Sequence, residues 1–164
     1  MMNDETQFAE DVRVTFAVEP FKGEDWEDFL RMQEAHFQEV ALGHRPLMTR
    51  VNPDFDRYLL MEKNGRLHVV KARSWNKSLV GYSIHMVYNH LHYKHLLVAE
   101  DDVFYVAPTV RGRGVARYMR AYACNSLKER GVQIVAARVK PHIPMTHLEK
   151  LGYQPLEIVY SKVL

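Results

Sequence analysis

Apolar residues recur at helical spacing in two long stretches of the chain, which predicts two helices that each bury one face. The first stretch follows Gly23-Glu24-Asp25 and ends near Gly43. The second runs from Gly114 to Arg130 and stops at Gly131. The first stripe, which has one polar break, is Trp26, Phe29, Leu30, Gln33, Phe37, Val40 and Ala41, and the second is Val115, Tyr118, Met119, Tyr122, Ala123 and Leu127.

Two shorter helices are predicted from their end signals. Asn52-Pro53-Asp54 marks a helix start, with Asn52 as the cap and Pro53 at the first helical position. This helix runs to about Asn64-Gly65, which is a turn signal. The other lies near Met145 to Leu151 and ends at Gly152.

Alternating or β-branched apolar runs predict the strands. The element order β-α-α-β-β-β-α-β-α-β predicts an α/β fold, with a mixed sheet and helices on both faces. Residues 75–78 predict the turn of a hairpin, and Pro108 closes the strand before the long second helix. The predicted strands span residues 12–20, 67–73, 79–87, 96–106, 132–139 and 158–163.

Size and charge limit the kind of protein this is. A chain of 164 residues predicts a single domain over residues 1–164. The net charge of +2, from 22 basic and 20 acidic side chains, argues against a general binder of nucleic acid. One tight basic cluster instead predicts a local anion site: Arg111, Arg113, Arg117 and Arg120.

The single cysteine, Cys124, cannot form an internal disulfide, which favours a reducing compartment. Its place inside the second long helix predicts a small buried apolar side chain. The polar start, Met1 to Asp11, does not have the order of a signal peptide, and no apolar run is long enough to span a membrane. We therefore expect a soluble, cytoplasmic protein without a membrane partner.

The segment from Val103 to Ala116 contains the pattern that indicates a binding function. A strand ends at Val106, a short loop with two glycines follows, and a helix begins near Gly114. Backbone N–H groups at a helix start lack internal partners and carry partial positive charge, and glycine lets a ligand approach them closely. Such a loop suits a phosphate or pyrophosphate. No Gly-Lys-Ser/Thr follows, which excludes a P-loop, and the position is wrong for a dinucleotide fingerprint.

The same segment resembles the coenzyme A loop of the GCN5-related N-acetyltransferases (GNAT), whose pattern is Arg/Gln-x-x-Gly-x-Gly/Ala. Arg111, Gly114 and Ala116 stand at that spacing, after the lead-in Val106-Ala107-Pro108. Leu148 to Tyr153 resembles the closing helix of the family, and the resemblance covers most of the chain. It implies a GNAT-like, mostly antiparallel sheet of six to seven strands, splayed at the acetyl-CoA site. The phrase from Glu100 to Val106 also resembles small acetyltransferases of phages and prophages.

The resemblance implies acetyl-CoA as the donor and an amine as the acceptor, with direct attack and no metal. The backbone of Phe104, Tyr105 and Val106 would pair with the pantetheine arm, and the Val106 N–H would hold the oxyanion. The resemblance also allows a homodimer. The residues that it assigns to the pyrophosphate are Arg111, Gly112, Arg113, Gly114, Val115 and Ala116.

Candidate bases are Glu100 and Asp102, which strand alternation places on one face, with Asp101 on the other. The alternative is that these acids form a solvated strand end or pair with arginines. The usual tyrosine acid of the family is replaced by Leu148, and Pro141-His142 stands where an asparagine is frequent. The alternative proton donors are His147, Tyr153, Tyr105 and water.

The sequence is compatible with three functions. The first is an N-acetyltransferase, and the second is a degenerate GNAT fold that binds coenzyme A or a protein partner without turnover. The third is a small nucleic-acid-binding domain that uses the arginine cluster. His90-x-His92-x-x-His95 has spacing that a metal site could use, but a polar loop that faces substrate is the favoured interpretation.

Overall fold

The computed structural model describes residues 13–40, 52–140 and 146–162. A short 3₁₀ turn spans Pro108–Val110. The element order agrees with the sequence prediction except for the predicted last strand. The elements are β1 (Val14–Val18), α1 (Trp26–Val40), α2 (Phe55–Lys63), β2 (Leu67–Ser74), β3 (Leu79–Asn89), β4 (Leu97–Val106), α3 (Val115–Glu129), β5 (Ile134–Ala136) and α4 (Thr146–Glu149).

The strands form one sheet in the order β1-β2-β3-β4-β5. β1 to β4 pair antiparallel and β5 pairs parallel to β4, so the sheet is mixed and mostly antiparallel as predicted. It has five strands in the described part of the chain rather than six to seven. The predicted last strand, 158–163, is the difference: residues 158–162 form no strand, and Ile158 and Tyr160 are 81% and 88% exposed. Alternation alone does not make a strand where no neighbouring strand pairs with it.

Several element boundaries differ from prediction. The cap of α2 is Asp54, whose carboxylate accepts from the Arg57 N–H at 3.0 Å, so Asn52 is not the cap. An N-cap carboxylate must lie one residue before the first helical turn, and that turn starts at Phe55. β5 is shorter than the predicted 132–139, because only Ile134–Ala136 pairs with β4. Residues 41, 43, 141, 142, 145 and 163 lie outside the described part of the chain.

Helices cover both faces of the sheet. One face packs against α3, which buries Val115, Met119, Ala123 and Leu127 at spacings of four residues. The other face is covered by α1 and α2 and carries an aromatic cluster. Its centre is Phe21, which lies 5.4 Å from Phe29 and 4.8 Å from Tyr58, measured between ring centroids. Buried apolar residues therefore line both faces of the sheet, in two clusters under α3 and one under α1 and α2.

A layer of polar side chains lies beneath α3. The His68 Nδ1 accepts from Arg130 at 3.0 Å, so its Nε2 carries the proton and donates to the Ser126 hydroxyl at 2.8 Å. The neighbouring His85 is also buried. Burial, with the nearby arginines adding to it, lowers the pKa of His68 to about 3 and that of His85 to about 4. Both histidines are therefore neutral in the folded protein at pH 7.

These histidines predict an acid-sensitive fold. Their pKa values in the folded protein lie below the unfolded value of about 6.5. The neutral histidines therefore contribute fully to the free energy of unfolding above pH 6.5, and this contribution is lost as the pH falls towards 4. We expect urea unfolding to show a loss on the order of 1–2 kcal/mol for each histidine between pH 7.5 and pH 5. Replacing the exposed His92 with glutamine should leave this loss unchanged. A free energy of unfolding that stays constant over that range would contradict the prediction.

Candidate functional site

β4 has an open edge at its C-terminal half. Its pairing with β5 covers Val98 to Glu100, and beyond Glu100 the described residues give β4 no neighbour on that side. The Ala107 N–H donates to the Val80 carbonyl at 2.8 Å. Successive peptide groups of a strand point to opposite edges, so the N–H and C=O of Val106 face the open edge. Within the described residues, this edge of β4 is therefore unpaired where the splay is predicted, and the buried Val106 directs its backbone groups away from β3.

A β-bulge at Asp102 sets which side chains face each way. In β3, adjacent residues Ile84 and His85 pair with Val103 and Asp101, so Asp102 is an extra residue in β4. The Asp102 carboxylate faces α2, where it accepts from the Tyr58 hydroxyl. Asp101 faces α3 instead. The bulge thus keeps Asp102 on the α1/α2 face, although Phe104 packs on the α3 face.

The two predicted bases have different surroundings. Glu100 is held by Arg138, whose Nε lies 2.7 Å from Oε1, and by the Tyr88 hydroxyl at 3.2 Å. Asp102 is exposed and has the Tyr58 hydroxyl as its partner. Burial, and then the hydrogen bond to Asp102, raises the pKa of Tyr58, which therefore stays protonated at neutral pH. The alternative that these acids pair with arginines is correct for Glu100 and Asp101.

The loop before α3 has the backbone that an anion site requires. Gly112 and Gly114 have φ angles of +76° and +80°, in the left-handed region that favours glycine. Gly114 caps α3 without a side chain, and residues 111–114 are exposed. The loop that leads into α3 is therefore open to solvent, next to the end of β4. Val115 is buried and Ala116 is partly buried, so these two residues fix the start of the helix against the sheet.

Substitution of Gly114 tests this loop. An added Cβ would lie 3.1 Å from the Tyr118 ring at a φ of +80°, so Gly114→Ala should shift the loop and weaken acetyl-CoA binding by about tenfold. Gly131→Ala is the matched control, because Gly131 has a φ of +83° at the other end of α3 and nothing within 4 Å. Both changes should cost about 1–2 kcal/mol of stability. Equal acetyl-CoA affinities by calorimetry would exclude a role for the loop.

The arginine cluster divides into different roles. Arg113 and Arg117 are exposed, and Arg117 stacks on the Tyr118 ring. Arg120 is buried, pairs with Asp101 at 2.9 Å and lies 3.8 Å above the Phe104 ring, so its assignment to an exposed anion site was wrong. A residue at that position of α3 faces the sheet together with Met119 and Ala123.

Arg111 lies across the open edge of β4 rather than extending into solvent. Its Nε donates to the Val106 carbonyl at 2.8 Å, and its Nη2 donates to the Glu39 carboxylate at 2.8 Å. The Tyr105 hydroxyl, 3.3 Å from the same carboxylate, donates to it as well. Sequence reasoning missed Glu39 because it lies on the polar side of the α1 stripe, where acids are ordinary.

The predicted proton donors have different surroundings. His147 is partly buried in α4, directly before the buried Leu148. The Tyr153 hydroxyl lies 3.1 Å from the Cys124 sulfur, and burial raises the pKa of this tyrosine. Cys124 is only partly buried, so it is not the fully buried apolar side chain that was predicted. Burial also raises the pKa of Tyr105, with the Glu39 carboxylate adding to the effect.

The β3–β4 turn carries the predicted histidine group, in which His90 Nδ1 accepts from the His92 N–H at 3.1 Å. Within residues 13–40, 52–140 and 146–162, no three His, Cys, Asp or Glu side chains come together to hold a metal ion. No helix in these ranges has the length and apolar composition that crossing a membrane requires.

Known proteins share both the sequence pattern and the fold. The model of the acetyltransferase (GNAT) family matches residues 25–153, whereas a search of curated proteins finds no significant match. An acetyltransferase from Trypanosoma brucei superposes with a TM-score of 0.69 at 15% identity, over 92% of this chain and 99% of that one. A transcriptional regulator from Bacillus halodurans superposes with a TM-score of 0.71 at 16% identity, over 93% and 100%.

A third solved structure was obtained with a ligand. A predicted acetyltransferase with acetyl-CoA from Clostridium acetobutylicum has a TM-score of 0.67 at 16% identity, over 92% of this chain and 96% of that one. At such identities the superpositions establish the fold, and the family match over most of the chain adds its sequence pattern. The open edge of β4 and the glycine loop before α3 lie inside the matched residues. This chain therefore belongs to the acetyltransferase (GNAT) family.

Proposed function

We propose that this protein transfers an acetyl group from acetyl-CoA to an amine by direct attack of the amine on the thioester. The observation that carries the proposal is the open edge of β4, which ends at Val106 next to the exposed glycine loop before α3. We further propose that the chain acts as a single domain in a reducing, cytoplasmic compartment, which its single cysteine favours.

The donor site fits the chain on structural grounds. The backbone N–H groups of Gly112 to Ala116, which follow and include the exposed glycine loop, would hold the pyrophosphate, and the Arg111 and Arg113 side chains would add charged hydrogen-bond donors. The backbone of Phe104 to Val106 would pair with the pantetheine arm along the open edge. The similar protein from Clostridium acetobutylicum was solved with acetyl-CoA, which supports this assignment of the donor.

Strand geometry separates the two candidate bases. The donor would extend from the loop along β4 towards the start of the strand, so the thioester would lie on the Asp102 side of Val106. At about 3.3 Å per residue, Asp102 is roughly 13 Å along the strand from Val106 and Glu100 roughly 20 Å. Asp102 is also exposed, whereas Glu100 is held by Arg138. We assign Asp102 as the base, acting through a chain of several water molecules that spans this distance, and Glu100 as a residue that positions the Asp102 end of the site.

The Val106 N–H, which faces the open edge, would stabilise the oxyanion of the tetrahedral intermediate. A proton must then reach the leaving thiolate. Tyr105, Tyr153 and His147 compete for this role with solvent water. Single replacements of the two tyrosines by phenylalanine and of His147 by glutamine distinguish these candidates. Replacing the residue that donates the proton lowers kcat without changing the acetyl-CoA Kd.

The overall test has two measurements. Calorimetry with acetyl-CoA should show binding, and thiol release should rise above background with one class in a panel of polyamines, amino acids, aminoglycosides and peptide N-termini. Failure of acetyl-CoA to bind would exclude the proposal.

A second candidate function is binding of coenzyme A or a protein partner without turnover. The buried Leu148 favours it, because this position carries the proton-donating tyrosine in many relatives. Acetyl-CoA binding without thiol release across the amine panel would support this second function and exclude the first.

A further inference from the structure

A small cluster of charged and aromatic side chains lies between α1 and the end of β4. The Glu39 carboxylate accepts from the Arg111 Nη2 at 2.8 Å and from the Tyr105 hydroxyl at 3.3 Å. The His36 ring stacks on Tyr105, with centroids 4.8 Å apart. The same Arg111 guanidinium donates to the Val106 carbonyl. One guanidinium group therefore bridges Glu39 and the backbone where the donor is expected to lie.

This arrangement competes with donor binding. The pantetheine arm would need the open edge of β4, and the pyrophosphate would need the charge of Arg111. In the structure, Arg111 covers that edge through its contact with Val106 and is neutralised by Glu39. A diphosphate carries more negative charge than one carboxylate, so it attracts Arg111 more strongly than Glu39 does. The N–H groups at the start of α3 would hold the diphosphate next to this arginine. Once Arg111 moves to the pyrophosphate, Glu39 loses its positive partner.

We propose that Glu39 binds the acceptor through a positively charged group, and that Arg111 covers Glu39 until donor binding draws the arginine away. This inference rests on the proposed acetyl transfer. It assigns the acceptor to amines that carry a second positive charge, such as polyamines, and it makes the donor the first substrate to bind.

The need for a second positive charge on the acceptor follows from the chemistry of the reaction. The attacking nitrogen must be neutral when it reaches the thioester, so it cannot also serve as the cation of a lasting ion pair. Burial lowers the pKa of His36, so this neighbour is neutral at pH 7 and does not balance the Glu39 charge. Glu39 is therefore free to select a cation elsewhere on the acceptor once Arg111 has left.

The donor half of the inference is tested by the change Glu39→Gln, which removes the competing charge from α1. An ion pair between partly exposed groups is weak, so we expect this variant to bind acetyl-CoA about 2- to 5-fold more tightly by calorimetry. The matched control is Glu34→Gln in the same helix, since Glu34 is exposed and bonds to Gln38. In an Arg111→Ala background, Glu39→Gln should no longer change the acetyl-CoA Kd. If acetyl-CoA binds to Glu39→Gln with unchanged or lower affinity, the proposal that Glu39 holds Arg111 away from the donor is overturned.

The acceptor half is tested with spermidine as the probe and propylamine as its singly charged counterpart. Spermidine should bind to the protein loaded with coenzyme A, and Glu39→Gln should weaken this binding by about tenfold. Glu34→Gln should leave it unchanged, and propylamine should bind weakly to both variants. Equal spermidine affinities in the wild type and Glu39→Gln, or no spermidine binding to the loaded wild type, would overturn the assignment.

These outcomes are separable from failure of the proposed function. Lack of acetyl-CoA binding by the wild type would remove acetyl transfer and the inference with it. The wild type could instead bind acetyl-CoA and release thiol, while Glu39→Gln changes the affinity for neither acetyl-CoA nor spermidine. That outcome would support the proposed acetyl transfer and would reject only the role of Glu39.

Discussion

Replacing Asp102 with asparagine is expected to lower kcat by about 10²- to 10⁴-fold, the usual contribution of a general base. The replacement keeps the shape of the side chain and its place at the bulge, and it removes the ability to take a proton. The acetyl-CoA Kd should stay within about twofold, because Asp102 lies on the α1/α2 face of β4, away from the glycine loop proposed to hold the donor. Steady-state thiol release with a saturating acceptor, together with calorimetry, measures both effects.

Glu100→Gln is the comparison variant for this prediction. Glu100 also lies on the α1/α2 face, but two more residues along the strand and in an ion pair with Arg138. Its replacement should lower kcat by less than about tenfold, as expected for a positioning residue. If Glu100→Gln abolishes turnover while Asp102→Asn retains it, the assignment of the base is reversed.

The second large effect is expected at the buried ion pair beneath α3. Asp101 and Arg120 are 4% and 7% exposed, and each has one polar atom without a hydrogen-bond partner. Asp101→Asn would leave the Arg120 charge buried and uncompensated, which should cost about 3–5 kcal/mol of unfolding free energy. Urea unfolding at pH 7.5 measures this loss.

The double replacement Asp101→Leu with Arg120→Met separates charge from packing. It removes both charges and keeps apolar contact with the Phe104 ring, which Arg120 now covers. Because a buried ion pair is often no better than apolar side chains of similar volume, the double variant should be more stable than Asp101→Asn. If the double variant is as unstable as the single one, the cost comes from packing instead. Burial raises the pKa of Asp101, which is consistent with an incompletely solvated carboxylate.

Local patterns were sufficient for much of the fold. The apolar stripe of α3, the hairpin of β2 and β3 and the glycines before α3 each depend on residues close in sequence, and the structure contains all three. The predicted strand at 158–162 failed because pairing depends on a distant partner, which alternation does not reveal.

The candidate site was harder to predict for the same reason. The roles of Arg120 and Arg111 depend on Asp101 and Glu39, which lie 19 and 72 residues away in the sequence. Arginine at a helix surface is usually solvated, so Arg120 was grouped with its exposed neighbours although helical spacing places it beside Met119 and Ala123. The bulge at Asp102 depends on the register with β3 and has no sequence signature of its own.

That bulge has a consequence for which length changes β4 can accept. With Asp102 as an extra residue, the strand changes its inward and outward alternation at this point. Deleting Asp102 would restore simple alternation, and Asp101 would stay opposite His85 on the same face as Arg120. Deleting a regularly paired residue such as Ala99 would instead turn every earlier side chain of β4 to the opposite face. Related chains that keep this site should therefore lose a residue of β4 at the bulge and not elsewhere between its start and Val106.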